Sequence, residues 1–74
     1  MADFSNRHPA TQQIYRWFNF GPLPDRLQVI SAPCQRLAIR MIHDLPDGPE
    51  LTTGLRKLLE AKDCFVRAAL TEGS

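Results

Sequence analysis

Apolar residues recur in the middle of the chain at Leu27, Ile30, Cys34, Leu37, Met41 and Leu45, at spacings that alternate between three and four. That period puts them on one face of an α-helix. Leu51, Leu55, Leu58, Phe65 and Ala69 repeat the pattern, with Leu59 and Val66 widening the stripe. Only Pro46-Asp47-Gly48 separates the two stretches, so the helices are expected to pack antiparallel as an αα-hairpin. One register satisfies both stripes, pairing Leu45 with Leu51, Met41 with Leu55, Leu37 with Leu59 and Ile30 with Val66. A shorter segment precedes them and is closed by Gly21-Pro22. The pattern thus predicts an all-α chain with helices over about residues 9–19, 24–45 and 49–70, in a single domain spanning 1–74.

Proline placement fits these boundaries. Pro9, Pro24 and Pro49 each suit the first turn of a helix, where the missing N–H would have had no partner. Asp25 and Glu50 follow two of them and put negative charge at the positive end of the helix dipole. Asp47 or Gly48 suits the N-cap of the third helix. Pro33 falls inside the second helix, where it lacks a donor and crowds the carbonyl of Val29. Because the apolar period continues past it, a kink is expected rather than a break. Lys62 takes a seam position between Leu58 and Phe65, facing Cys34 in the same register.

Composition adds the expectation of self-assembly. In a domain of 74 residues, apolar burial at about 25 cal/mol per Å² is nearly offset by the entropy of ordering the chain. Disulfides, a metal or partner subunits usually supplement so small a core. The two cysteines, Cys34 and Cys64, have no C-x-x-C spacing, and His8 and His43 lie far from both, so no zinc site is expected. Partner subunits remain. No apolar run approaches the ~20 residues that span a bilayer, and the N-terminus lacks a signal-peptide core. A soluble, cytoplasmic protein with reduced thiols is expected. A formal net charge of +1 provides no basic field for DNA, which argues against a small helix-turn-helix binder. There is no paired-carboxylate cleft, glycine-rich phosphate loop or nucleophile–base constellation, so no enzyme, catalytic residue or cofactor is expected.

The aromatic residues are concentrated at one end. Phe4, Tyr15, Trp17, Phe18 and Phe20 lie in the first twenty residues, and only Phe65 lies elsewhere. Ile14, Tyr15, Trp17 and Phe18 cover most of the circumference of the short first helix, so some must face another subunit or a ligand. They could form an aromatic core joining the first helix to the hairpin. Alternatively they could stack on planar bases, each worth ~1–3 kcal/mol. Tyr15, with its polar tip, suits a boundary. Arg26, in the first turn of the second helix, is either a phosphate donor at a helix N-terminus or a solvated side chain. Arg56, Glu60, Asp63 and Arg67 form a row that two i,i+4 ion pairs would explain. In the hairpin Arg67 lies level with Val29, whose carbonyl Pro33 frees. Lys62 either snorkels from the seam or contacts a subunit or ligand. His43 suits the negative end of the second helix.

Beyond these patterns, the chain resembles a known family through Phe18-Asn-Phe20-Gly-Pro22, Arg26-Leu-Gln-Val-Ile30, Leu37-Ala38, Leu45-Pro-Asp-Gly-Pro-Glu50 and Leu55-Arg-Lys-Leu-Leu-Glu-Ala61. Over about His8 to Arg67 it looks like the helical-hairpin domain of phage anti-CBASS cyclic-oligonucleotide sponges, shared with some anti-Thoeris sponges. The resemblance implies a kinked second helix and a compact homo-oligomer, typically a hexamer. It also implies binding of cyclic di- or trinucleotides between protomers in the host cell cytoplasm. The messenger is sequestered and not cleaved.

Family pockets combine a stacking aromatic from the first helix with phosphate-binding groups near the start of the long helix. By position, Tyr15 matches the former, with Trp17 and Phe20 behind it, and Arg26 matches the latter. Lys62 and Arg67 would line a second pocket near a symmetry axis. This chain departs from the common pattern in its short Leu-Pro-Asp bend, in Ser31 where arginine is frequent, and in its ending Ala61-Lys-Asp-Cys-Phe-Val-Arg67. An alternative from another class is an adaptor hairpin that docks a protein through its aromatic helix.

Overall fold

A computed structural model of the protein describes residues 4–19 and 23–72. Among them are three helices and no strands: α1 (Pro9–Arg16), α2 (Asp25–Asp44) and α3 (Pro49–Glu72). Each start follows local chemistry. Pro9 opens α1, and the Nδ1 of His8 accepts from the N–H of Ala10 at 3.0 Å, capping the first turn. Pro24 stands just before α2, its carbonyl accepting from Leu27 and Gln28. At α3 the Gly48 carbonyl accepts from the Thr52 N–H at 3.1 Å.

The first helix ends at Arg16, earlier than the expected limit near residue 19. Trp17 and Phe18 donate their N–H groups to the carbonyls of Ile14 and Tyr15, three residues back. That tightening to a 3₁₀-type turn ends the α-helix and carries Phe18 into the core. α2 continues through Pro33 without a break, and it ends, like α3, within two residues of the expected limit.

α2 packs against α3, while α1 rests mainly on α3 and more lightly on α2. The core joins Ile14 and Phe18 to Cys34, Ala38 and Ile42 of α2 and to Leu51 and Leu55 of α3. The molecule measures 41 × 22 × 17 Å. At 1.5 Å per residue α3 alone sets most of the long axis.

One expectation about α2 needs correction. The predicted seam included Leu37 and Leu45, yet these are 47% and 44% exposed, and Ile30 and Met41 are only half-buried. The residues buried on α2 are Leu27, Ser31, Cys34, Ala38 and Ile42. This face keeps Leu27 and Cys34 of the predicted one but is turned by roughly 50° around the helix. Ser31 and Ala38 are small, so burying them lets α2 approach its neighbours closely. The larger side chains of the predicted stripe are left at the edge of the interface. Phe65 on α3 is likewise exposed. The closer approach encloses a polar atom, since the buried Ser31 Oγ has no hydrogen-bond partner among the described residues.

Candidate functional site

The short α1 is held at both ends. At its start, Asp47 from the α2–α3 turn accepts three hydrogen bonds: from Arg7 Nε at 3.1 Å, from the N–H of His8 at 3.1 Å and from the hydroxyl of Thr11 at 2.8 Å. The same guanidinium donates to the carbonyls of Ile42 and Leu45, where α2 ends. It thereby satisfies backbone acceptors that a helix terminus leaves open. The hydrogen bonds from Arg7 and then Thr11 pull the Asp47 carboxyl down to about 2. At the other end, Lys62 of α3 donates to the carbonyl of Trp17 at 3.4 Å and pairs with Asp63 at 2.8 Å.

Held this way, α1 forms a shallow cleft with α3, lined by Ala10, Gln13, Ile14, Trp17, Arg56 and Leu59. Its volume is about 290 Å³, at the lower end of the range for small-molecule sites. Trp17 is 66% exposed. Leu59 and Ile14 supply an apolar floor, and Gln13 and Arg56 supply an amide and a guanidinium.

The residues singled out in the sequence are distributed unevenly around this cleft. Trp17 lines it, and the Lys62 ammonium touches the Trp17 carbonyl, so these two come together. Tyr15 is half-buried and meets Phe4 edge-on, with ring centroids 5.1 Å apart and planes at 84°. Burial raises its phenol pKa. Phe20 lies outside the described residues. Arg26 is exposed in the first turn of α2 and lines none of the cavities described here. Arg67 donates to the Cys64 sulfur at 3.2 Å on its own helix. The lysine seam position is resolved as a partly buried side chain, 12% exposed, reaching back to the end of α1.

The row on α3 is paired differently from the expectation. Among the described residues neither Arg56–Glu60 nor Asp63–Arg67 forms, and Asp63 pairs instead with Lys62. Arg56 has no ion pair or hydrogen bond among the described residues and lines the cleft. Arg56 and Gln13 were not assigned to a ligand site from the sequence. Each stands one turn from another cleft residue, Gln13 from Trp17 and Arg56 from Leu59, a relation that appears only once α1 is docked.

Two apolar surfaces complete the picture. Leu37 and Met41 of α2 and Leu45 just after it line a groove with Leu51, Leu55 and Leu58 of α3, about 280 Å³ in volume. The groove passes over Gly54, above which there is open space. Farther along, Ile30, Pro33 and Cys34 line a broader depression with Phe65, Ala68 and Ala69. Among the described residues, no helix is long and apolar enough to cross a membrane, and no group of three or more His, Cys, Asp or Glu could hold a metal ion. Cys34 is buried and Cys64 exposed, and both are free thiols.

No protein-family model, curated protein or solved structure matches the chain.

Proposed function

We propose that this protein is a phage anti-defence sponge that binds and sequesters cyclic oligonucleotide second messengers in the host cytoplasm without cleaving them. The observation that carries this reading is the exposed Trp17 ring at the end of α1, in a cleft with Arg56, which has no partner among the described residues. An exposed indole is a stacking surface for a base, and an unpaired guanidinium is a donor for phosphate. The family resemblance supplies the cyclic ligand and the absence of chemistry on it.

The assembly unit in this proposal is an antiparallel αα-hairpin with α2 kinked at Pro33. The groove linings support it: Leu37, Met41 and Leu45 share one groove with Leu51, Leu55 and Leu58, and Ile30 shares another with Phe65 and Ala69. The protomer associates through the leucine groove into a homo-oligomer, with a hexamer favoured by the resemblance. The exposed Leu37 and Leu45 on one side of the groove support a subunit interface there. The second reading, an adaptor that docks a different protein, is favoured by the same groove. Analytical ultracentrifugation separates the two, since a monomer at micromolar concentration would leave the groove for a partner.

Calorimetric titration with cyclic di- and trinucleotides, and linear dinucleotides as controls, tests the sponge itself. Saturable binding of a cyclic ligand, released intact on denaturation, is expected. Cleaved ligand would replace the sponge with an enzyme, and no binding by any cyclic nucleotide would leave the adaptor.

A further inference from the structure

We infer that the α1–α3 cleft is a one-nucleotide subsite: a base stacks on Trp17, Gln13 reads its edge, and Arg56 takes the adjoining phosphate. This deepens the proposed sponge function and rests on it. Three features of the cleft lead there.

The first is size. A volume of about 290 Å³ sits at the small end of the range for ligand sites, which runs to about 1,000 Å³. It suits a single base with its phosphate and is too small for a whole cyclic dinucleotide.

The second is chemistry without competing partners. Neither Gln13 nor Arg56 has a hydrogen bond or ion pair among the described residues, although Glu60 stands one turn from Arg56 on the same helix. Both are therefore available at no cost in broken contacts. An amide offers a donor and an acceptor side by side, which matches the edge of a base. A guanidinium offers a planar fork for phosphate oxygens. Among the described residues, no carboxylate lines the cleft to repel an anion.

The third is rigidity. Arg7 and Asp47 fix the start of α1, and Lys62 holds the Trp17 carbonyl at its end. The lysine contact is to the backbone of Trp17, and its charge is paired with Asp63 at 2.8 Å, so the phosphate donor of the subsite is Arg56 alone. Tyr15, by contrast, is turned inward on Phe4 and leaves the outward stacking surface to Trp17.

Trp17 is the sole tryptophan of the chain, so its fluorescence reports on this subsite alone. The experiment titrates the full chain with cyclic di-AMP, cyclic di-GMP and cyclic tri-AMP, following emission and heat in parallel. Quenching that saturates with the heat is expected. Arg56→Ala should raise Kd about tenfold or more, as loss of a charge-assisted hydrogen bond does. Trp17→Ala, read by heat, should raise it about tenfold to a hundredfold. Gln13→Ala should change the preference among the bases. Gln13, Trp17 and Arg56 are exposed, and circular dichroism checks that each variant stays folded. Heat without quenching, or unchanged affinity in Arg56→Ala, would place the ligand elsewhere and overturn the subsite while the sponge stands. Neither heat nor quenching with any of the three would remove both.

Discussion

Arg7 is the residue whose removal should cost the fold most for a side chain outside the apolar core. Its side chain is 16% exposed, and its guanidinium reaches the carbonyls of Ile42 and Leu45 as well as Asp47. Arg7→Ala strips both carbonyls of their donor. Ile42 is fully buried, and a carbonyl left without a partner in such surroundings costs about 1–3 kcal/mol. Leu45 is exposed, so water replaces its donor at little cost. The balance is a loss of about 2 kcal/mol, or roughly 8–16 °C in Tm for a domain of this size. Arg7→Lys keeps the charge but not the planar fork, so it should recover less than half of the loss. Urea unfolding followed by circular dichroism, at one fixed protomer concentration, measures both. A loss under about 0.5 kcal/mol in Arg7→Ala would show that the carbonyls are solvated without the guanidinium. Full recovery in Arg7→Lys would show that charge alone, and not the fork, matters.

Other consequences can be measured in the same way. The Asp47 carboxyl, at about 2 in the fold against 3.8 when free, adds stability above pH 4 that is lost as the pH falls toward 2. Asp47→Asn should therefore flatten the acid side of the stability curve, and an unchanged acid limb would contradict the three hydrogen bonds. Asp44, lowered by His43 and then Arg40, titrates in the same direction and should leave a residual slope. Phe18→Ala opens a cavity at a fully buried position and should cost about 3–5 kcal/mol by urea unfolding. A loss below 1 kcal/mol would mean that the core closes around the gap. Ser31→Ala removes a buried hydroxyl that has no partner among the described residues and should leave stability equal or raise it by about 1–3 kcal/mol, whereas a clear loss would reveal a partner for Ser31 Oγ. If the protomers assemble through the leucine groove as proposed, Leu37→Glu, which places a charge there, should lower the sedimentation coefficient without loss of helix, and an unaltered sedimentation coefficient would refute that interface.

Helix number and approximate limits were legible because they rest on local signals: prolines at starts, the Pro-Asp-Gly turn and the apolar period. The buried face of α2 was not. Its sequence carries two adjacent stripes, and hydrophobicity alone favours Leu37, Met41 and Leu45 over Ser31, Ala38 and Ile42. Close packing favours the latter because two of the three are small. Residues at the cleft were legible in part. Trp17 stood out as a surplus aromatic, but which aromatic would face outward depended on Phe4 reaching Tyr15 and on the turn that buries Phe18. The Arg7–Asp47 contact joins residues forty apart, a distance at which no local pattern speaks. Of the two residues that suit the cap of α3, Gly48 accepts from Thr52 there, while the Asp47 side chain is engaged by the segment before and within α1.

α1 has only 8 residues, whereas an isolated helix in water is marginal below ~12–15. It therefore exists as a helix only while it is docked. The fraction of molecules with α1 in place multiplies the intrinsic affinity of anything that binds against it, since a partly populated competent state raises the apparent Kd in proportion. Arg7 and Asp47 line no part of the cleft, yet they set that fraction. Amide exchange in α1 would report it directly, and slow exchange there would mark a site already assembled before its ligand arrives.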